Sequence, residues 1–277
     1  MQLIIFQRLL LKNFYKMNVV RLSGGLGNQL FQYAFGRVLQ ECSGNKTGYD
    51  KTWYDKLRVP PRPYILDQFQ IKVPITNYLM TCKVVEKISE GIPSLHVDGK
   101  YFHGYWQNPD LYSFKLLEEF REGFHLRKEY QTPEFLELKQ QMQSCNSVTL
   151  HVRRGDYLLH PNHLVLPLQY YQNALSYMGS MKKDVELFVF SDDIEWCKEN
   201  FMDCHFVEVG NECLEFELMR SCKHFIIANS TFSWWPAYLS VNATVIGPKK
   251  WWRDSINGFS VYEKRILQKD WLNISLS

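Results

Sequence analysis

The chain divides by the rhythm of its apolar positions. MNVVRL, residues 17–22, is a short apolar run that stops at SGGLGN. Beyond it Leu30, Ala34, Phe35, Val38 and Leu39 recur at helical spacing. Strand, glycine loop and helix in that order predict the opening of a βαβ unit. Residues 43–110 are less regular; PPRPY (60–64) marks a loop, and YFHGYW (101–106) reads as a strand. Helical periodicity returns from Asp110 to about Leu126 and again over 133–143.

The second half is cleaner. SVTLHV, VELFVF, CHFVEV, KHFIIA and ATVIGP read as five short apolar strands. LQYYQNALSYM, DIEWCKENF, ECLEFELMRS and TFSWWPAYL lie between them as helices. Continuous apolar strands alternating with helices predict a parallel sheet covered on both faces. The expected organisation is an extension at 1–16, an α/β domain at 17–145 and a second at 146–277, with the break near Ser144–Ser147 and a cleft between the two domains. In such sheets ligands bind beyond the carboxyl ends of the strands.

Composition narrows the class. With 277 residues, 45% of them hydrophobic and 22% charged, the chain has the make-up of a soluble globular protein. A net charge of +3 argues against a general nucleic-acid binder, which would carry a basic face. The seven cysteines include no C-x-x-C pair, so neither a disulfide framework nor a zinc site is expected. Free thiols in a reducing cytoplasm are the simpler account. No apolar run reaches the ~18 residues needed to span a bilayer. In the opening stretch Arg8, Lys12 and Lys16 stand four apart, as in a basic helix lying on a membrane surface. The preferred reading is that Met17 is the true start, because the first strand begins there. An aromatic content of 15% fits a carbohydrate or planar ligand, and fits filled cores equally. The oligomeric state is not legible.

Three segments at strand ends carry chemistry. In SGGLGN (23–28), glycines let backbone approach a ligand and present N–H groups at a helix start, where anions are favoured. The segment is neither a dinucleotide fingerprint nor a P-loop, and a tight ligand-free turn explains it as well. HVRRGDY (151–157) sets Arg153 and Arg154 side by side at a strand end. Each guanidinium is a rigid fork matched to phosphate oxygens, and two of them in a cleft are expensive unless an anion meets them. Asp156 can hold an arginine or act as a base. In NSTFSWW (229–235), Ser230 and Thr231 are N-cap types whose hydroxyls and N–H groups also form an anion site; capping with buried aromatics is the competing account. Asp192 and Asp193, in SDD, open a helix. One of them caps it, and either could accept hydrogen bonds from a guanine edge; the adjacent pair is not the spaced D-x-D of a metal site.

Together SGGLGNQLFQYAFG, YFHGYWQ, HVRRGDY, FSDDIEWCKENF and NSTFSWWPAYL resemble the alpha-1,2-fucosyltransferases of glycosyltransferase family 11, in order and from Met17 onward. The resemblance implies an α/β fold of GT-B type, two Rossmann-like domains facing a cleft, the sugar nucleotide held mainly by the C-terminal one. It implies an inverting galactoside 2-alpha-L-fucosyltransferase that moves L-fucose from GDP-fucose to the 2-hydroxyl of a terminal β-galactoside, with no metal and no cofactor. Arg153 and Arg154 are then the cations that meet the leaving diphosphate. Gly25, Gly27 and Asn28 face the same phosphates, and Ser230, Thr231 and Phe232 close around the β-phosphate. His151 and Asp192, or equally Asp193, lie near the ribose or guanine. Arg154, Asp156 and Asn28 are the catalytic candidates, and for the base a departing phosphate oxygen competes with Asp156. Animal members carry an N-terminal anchor. None is read here, so a bacterial-type cytoplasmic enzyme is expected, with peripheral contact at the inner membrane face as its variant. The acceptor is left open, and Tyr101–Gln107 either lines its side or is a buried strand. The alternatives are a metal-independent transferase with another sugar nucleotide, a non-catalytic sugar- or nucleotide-binding protein, and, disfavoured by the broken fingerprint, a nicotinamide-dependent enzyme.

Overall fold

The computed structural model describes residues 17–57, 62–76, 87–89, 94–253 and 265–277; the basic segment at 1–16 and the first two residues of PPRPY lie outside the described residues. Two compact units divide the chain, Met1–Phe124 and His125–Ser277. Among the described residues no helix is long and apolar enough to cross a membrane.

In the first unit β1 (Asn18–Arg21) leads through the glycine loop into α1 (Leu26–Ser43), followed by β2 (Thr47–Asp50), β3 (Lys87–Ser89), β4 (Tyr101–His103) and α2 (Phe114–Gly123). The four strands are parallel in the order β2-β1-β4-β3. α1 starts three residues after Ser23, earlier than a start at Asn28 would give, because Gly25 takes the cap position. It stops at Gly44, whose φ of 71° lets its N–H close back on the Gln40 carbonyl. α1 lies close on β2. A Cβ at Gly36 would collide with the Tyr49 hydroxyl, which donates to the Tyr33 carbonyl at 2.8 Å.

The second unit begins well before the break expected near Ser144–Ser147. The reason is one buried carboxylate. Glu217 Oε1 lies 2.8 Å from His125 Nδ1 and 2.8 Å from Lys139 Nζ, and Glu217 is 1% exposed. These contacts bind the segment from His125, and α3 (Pro133–Ser144) with it, to α7 (Glu212–Ser221). A helix read as the end of the first domain therefore belongs to the second.

Beyond α3 come β5 (Asn146–Val152), α4 (Gly155–Leu159), α5 (Leu168–Met181), β6 (Val185–Ser191), α6 (Ile194–Asn200) and β7 (His205–Phe206), then α7, β8 (His224–Ile226), α8 (Thr231–Leu239), β9 (Val245–Pro248) and β10 (Leu272–Ile274). All five expected strands form, CHFVEV keeping only two residues, and β10 adds an edge that its short L-N-I run did not announce. The sheet is parallel, in the order β10-β9-β8-β5-β6-β7. Val148, Leu150, Val152, Tyr170, Tyr171, Val189 and Ile226 form its core. The chain runs outward from β5 through β6 and β7, then crosses to the other side for β8, β9 and β10. The order reverses between β5 and β8, and at such a switch point the connections leave a crevice beyond the carboxyl ends. HVRRGDY begins within β5 and its arginines follow the strand, while NSTFSWW follows β8.

Candidate active site

β5 is buried to its last residue, and the two arginines come directly after it. Their side chains are only 17% and 18% exposed, so each needs a partner. Arg153 reaches Asp156 Oδ1 through Nε at 3.0 Å and Nη2 at 2.8 Å, and Asp192 Oδ2 through Nε at 3.1 Å. Burial opposes its charge, but Asp192 and Asp156 more than offset this and hold its pKa above the ordinary value. Arg154 donates its backbone N–H to Asp192 Oδ1 at 2.9 Å and its Nε to Asp193 Oδ2 at 3.0 Å. Its guanidinium lies 4.1 Å from the Trp196 ring centre. Among the described residues its two Nη groups have no protein partner.

Local sequence builds this. Asp193 caps α6, Oδ1 accepting from the Trp196 N–H at 3.4 Å, so the cap leaves Oδ2 for Arg154. Gly155 is required by proximity: a Cβ there would sit 2.7 Å from Asp192 Oδ2. Both aspartates of SDD are thus engaged with arginine donors.

Across the switch point Ser230 caps α8, its Oγ accepting from the Phe232 N–H at 3.3 Å; Thr231 is the first helical residue. Asn229 Nδ2 fixes the turn by donating to the Leu164 and Trp251 carbonyls, both at 2.9 Å. Trp234 and Trp235 are buried. His151 is buried near the half-buried Phe232, with ring centres 5.7 Å apart. Burial, helped by Arg153, pushes its pKa down to about 3, so the ring is neutral; its shielded Nδ1 has no partner among the described residues. Tyr157 joins the two segments, its hydroxyl donating to the Asn229 carbonyl at 3.0 Å.

The glycine loop belongs to the first unit, at its own switch point between β1 and β4. Gly24 has φ +82°, and Gly25 caps α1 with extended backbone and no side-chain cap. Gln107, beyond β4, donates to Asn28 Oδ1 at 3.0 Å. Gln29 is fully buried. It donates to the Gly24 carbonyl at 3.2 Å and the Pro63 carbonyl at 2.9 Å, and accepts from the Ile65 N–H at 3.2 Å. Arg62 Nη1 is 3.3 Å from where a Gly25 Cβ would be.

Arg153, Arg154, Asp156, Asp192 and Asp193 therefore form one network, and His151, Ser230, Thr231 and Phe232 a second beside it. Gly25, Gly27 and Asn28 stand together in the other unit. Sequence reasoning missed Tyr157, Trp196, Gln29, Arg62 and Glu215. Polar Gln29 on the apolar face of α1 was the one legible signal; Arg62 carried none. The Glu215 carboxyl is pushed up to about 7, by burial first and then by Glu212 and Asp192. Among the described residues no group of three or more His, Cys, Asp or Glu is placed to hold a metal.

A guanidinium with its Nε held and both Nη groups open, beside a neutral imidazole and a capped helix start, suits a diphosphate. The model for glycosyl transferase family 11 matches residues 3–275. An alpha-1,2-colitosyltransferase of Escherichia coli is 31% identical over 87% of this chain and 94% of its own length. The galactoside alpha-(1,2)-fucosyltransferase 2 of Bos taurus is 29% identical over 85% of this chain and 71% of its own. The crystal structure of the fucosyltransferase NodZ from Bradyrhizobium covers 80% of this chain and 91% of its own at TM-score 0.52 and 14% identity. That likeness shows the shared α/β fold of GT-B type. The chain belongs to glycosyl transferase family 11.

Proposed function

We propose that the chain is an inverting galactoside 2-alpha-L-fucosyltransferase, moving L-fucose from GDP-fucose to the 2-hydroxyl of a terminal β-galactoside. The observation that carries this is Arg154: its Nε is fixed on Asp193 and its two Nη groups are left to grip phosphate oxygens. As the bond from the fucose anomeric carbon to the β-phosphate breaks, negative charge grows on the diphosphate. Fixed donors stabilise it most effectively when they need no rearrangement, and Arg154 is already oriented. The helix start at Ser230 and Thr231 adds N–H donors. The neutral, buried His151 backs this helix start without adding charge. Gly25, Gly27 and Asn28 present backbone and amide groups at the start of α1 in the first unit. Asp156 Oδ1 is occupied by Arg153, which supports an orienting role. The acceptor hydroxyl forms its bond on the opposite face of the anomeric carbon and gives up its proton to a base on that side as GDP departs.

Product analysis tests this. Incubation with GDP-fucose and lactose, with and without EDTA, should yield a 2-linked fucoside and free GDP in both arms. Hydrolysis of the donor alone, or failure without added metal, would refute it.

The similarity to a colitosyltransferase favours one second reading, in which the donor sugar is colitose. Colitose lacks a hydroxyl that fucose carries. A site that hydrogen-bonds that hydroxyl prefers fucose by orders of magnitude, whereas an apolar one does not. Competition between the two GDP sugars separates the readings.

A further inference from the structure

Tyr157 is the last residue of HVRRGDY and bridges from it to the turn before α8. Its position is unusual. The guanidinium carbon of Arg153 lies 5.5 Å from its ring centre, and the His163 ring packs against it at 4.3 Å. Its hydroxyl donates to the Asn229 carbonyl at 3.0 Å. Ser230, the next residue in that turn, accepts from the Phe232 N–H and caps α8. One side chain thus supports the cation after β5 with its ring and the turn before α8 with its hydroxyl.

We infer that Tyr157 is a positioning residue that couples Arg153 to the Asn229–Ser230 turn, so that the cation and the start of α8 meet the donor diphosphate as one pre-set unit. This rests on the function proposed above. The coupling has a physical reason: β5 and β8 are neighbours in the sheet, yet the loops that follow them share no backbone hydrogen bond among those found in the turns and loops, so side chains must set their spacing.

The two halves of the residue can be separated. Tyr157→Phe keeps the ring and removes the hydroxyl; Tyr157→Leu removes both supports. Calorimetry of GDP binding and donor kinetics on the full chain decide the matter. In Tyr157→Phe the GDP Kd and donor KM should rise roughly tenfold with acceptor KM unchanged. Ser230→Ala should do the same, and the double variant should lose less than the sum of the two single losses, because both changes loosen the same turn. Arg153→Gln should remain additive with Tyr157→Phe and lose additivity with Tyr157→Leu. Melting temperatures report any general loss of packing, which would not produce this pattern of additivity. Unchanged GDP affinity in Tyr157→Phe, or full additivity with Ser230→Ala, overturns this inference alone. Absence of GDP binding by the wild-type chain overturns both it and the function beneath it.

Discussion

Nε of Arg154 is bonded to Oδ2 of Asp193 at 3.0 Å, and the same aspartate caps α6 through its other oxygen. The helix start and the cation are therefore set by one carboxylate. Replacing Arg154 with lysine keeps the charge and loses the fork, the Nε contact and the flat face on Trp196. We expect Arg154→Lys to lose roughly 2–4 kcal/mol of transition-state stabilisation, on the order of 100-fold in kcat/KM, with little change in thermal stability. Near-normal turnover would remove Arg154 from the role given to it.

Asp156 discriminates between orienting an arginine and accepting a proton. If it orients Arg153, Asp156→Asn should raise the donor KM and lower kcat by about tenfold while the acid limb of the pH–rate profile stays where it was. Disappearance of that limb would make Asp156 the base.

Gly155 is forced by its neighbour, since a Cβ would stand 2.7 Å from Asp192 Oδ2. Gly155→Ala must push Asp192 off both Arg153 and the Arg154 N–H. The expected result is a loss of about 1–2 kcal/mol in stability together with a GDP affinity at least tenfold weaker. A crystal structure showing Asp192 in place, with unchanged affinity, would contradict this account.

Glu215 gives the protein a pH signature. Its carboxyl titrates near 7 in the folded chain against 4.5 for the ordinary group, chiefly through burial. The folded state therefore favours the protonated acid. Its stabilising share is complete below pH 4.5 and is lost as pH rises through 7. Urea unfolding of Glu215→Gln should show a protein more stable than wild type by roughly 2–3 kcal/mol at pH 8, and equal to it near pH 4.5. A constant difference at all pH values would place the effect elsewhere.

Gly36 tests the packing of the first unit. Its Cβ would meet the Tyr49 hydroxyl, so Gly36→Ala should cost about 1–3 kcal/mol in the unfolding of that unit. GDP affinity of the protein that remains folded should be unchanged.

The elements themselves were legible because they are local. The apolar run of β5 needs only its own residues to declare a buried strand, and the spacing of Leu30, Ala34 and Val38 declares a helix face. The glycine before α1, the cap residues Asp193 and Ser230 and the paired arginines likewise stand at fixed short offsets from those elements. What sequence could not supply was partnership. The Arg154 contact with Asp193 spans 39 positions, and that of Tyr157 with Asn229 spans 72. Neither side chain carries a mark naming the other. Even the unit boundary was misplaced for this reason: Glu217 claims His125 and Lys139 from 92 and 78 positions away.

The pattern of residues alone determined that this chain folds as parallel α/β layers and that the paired arginines and the cap residues sit at the ends of particular strands. Only the tertiary structure decided which ends are neighbours. The reversal of strand order between β5 and β8 sets Arg153 beside the turn that precedes α8, and the carboxylates after β6 then turn both arginines. Side-chain periodicity encodes which face of an element is buried; it carries no information on the order in which strands pair, and it is that order which assembles the site.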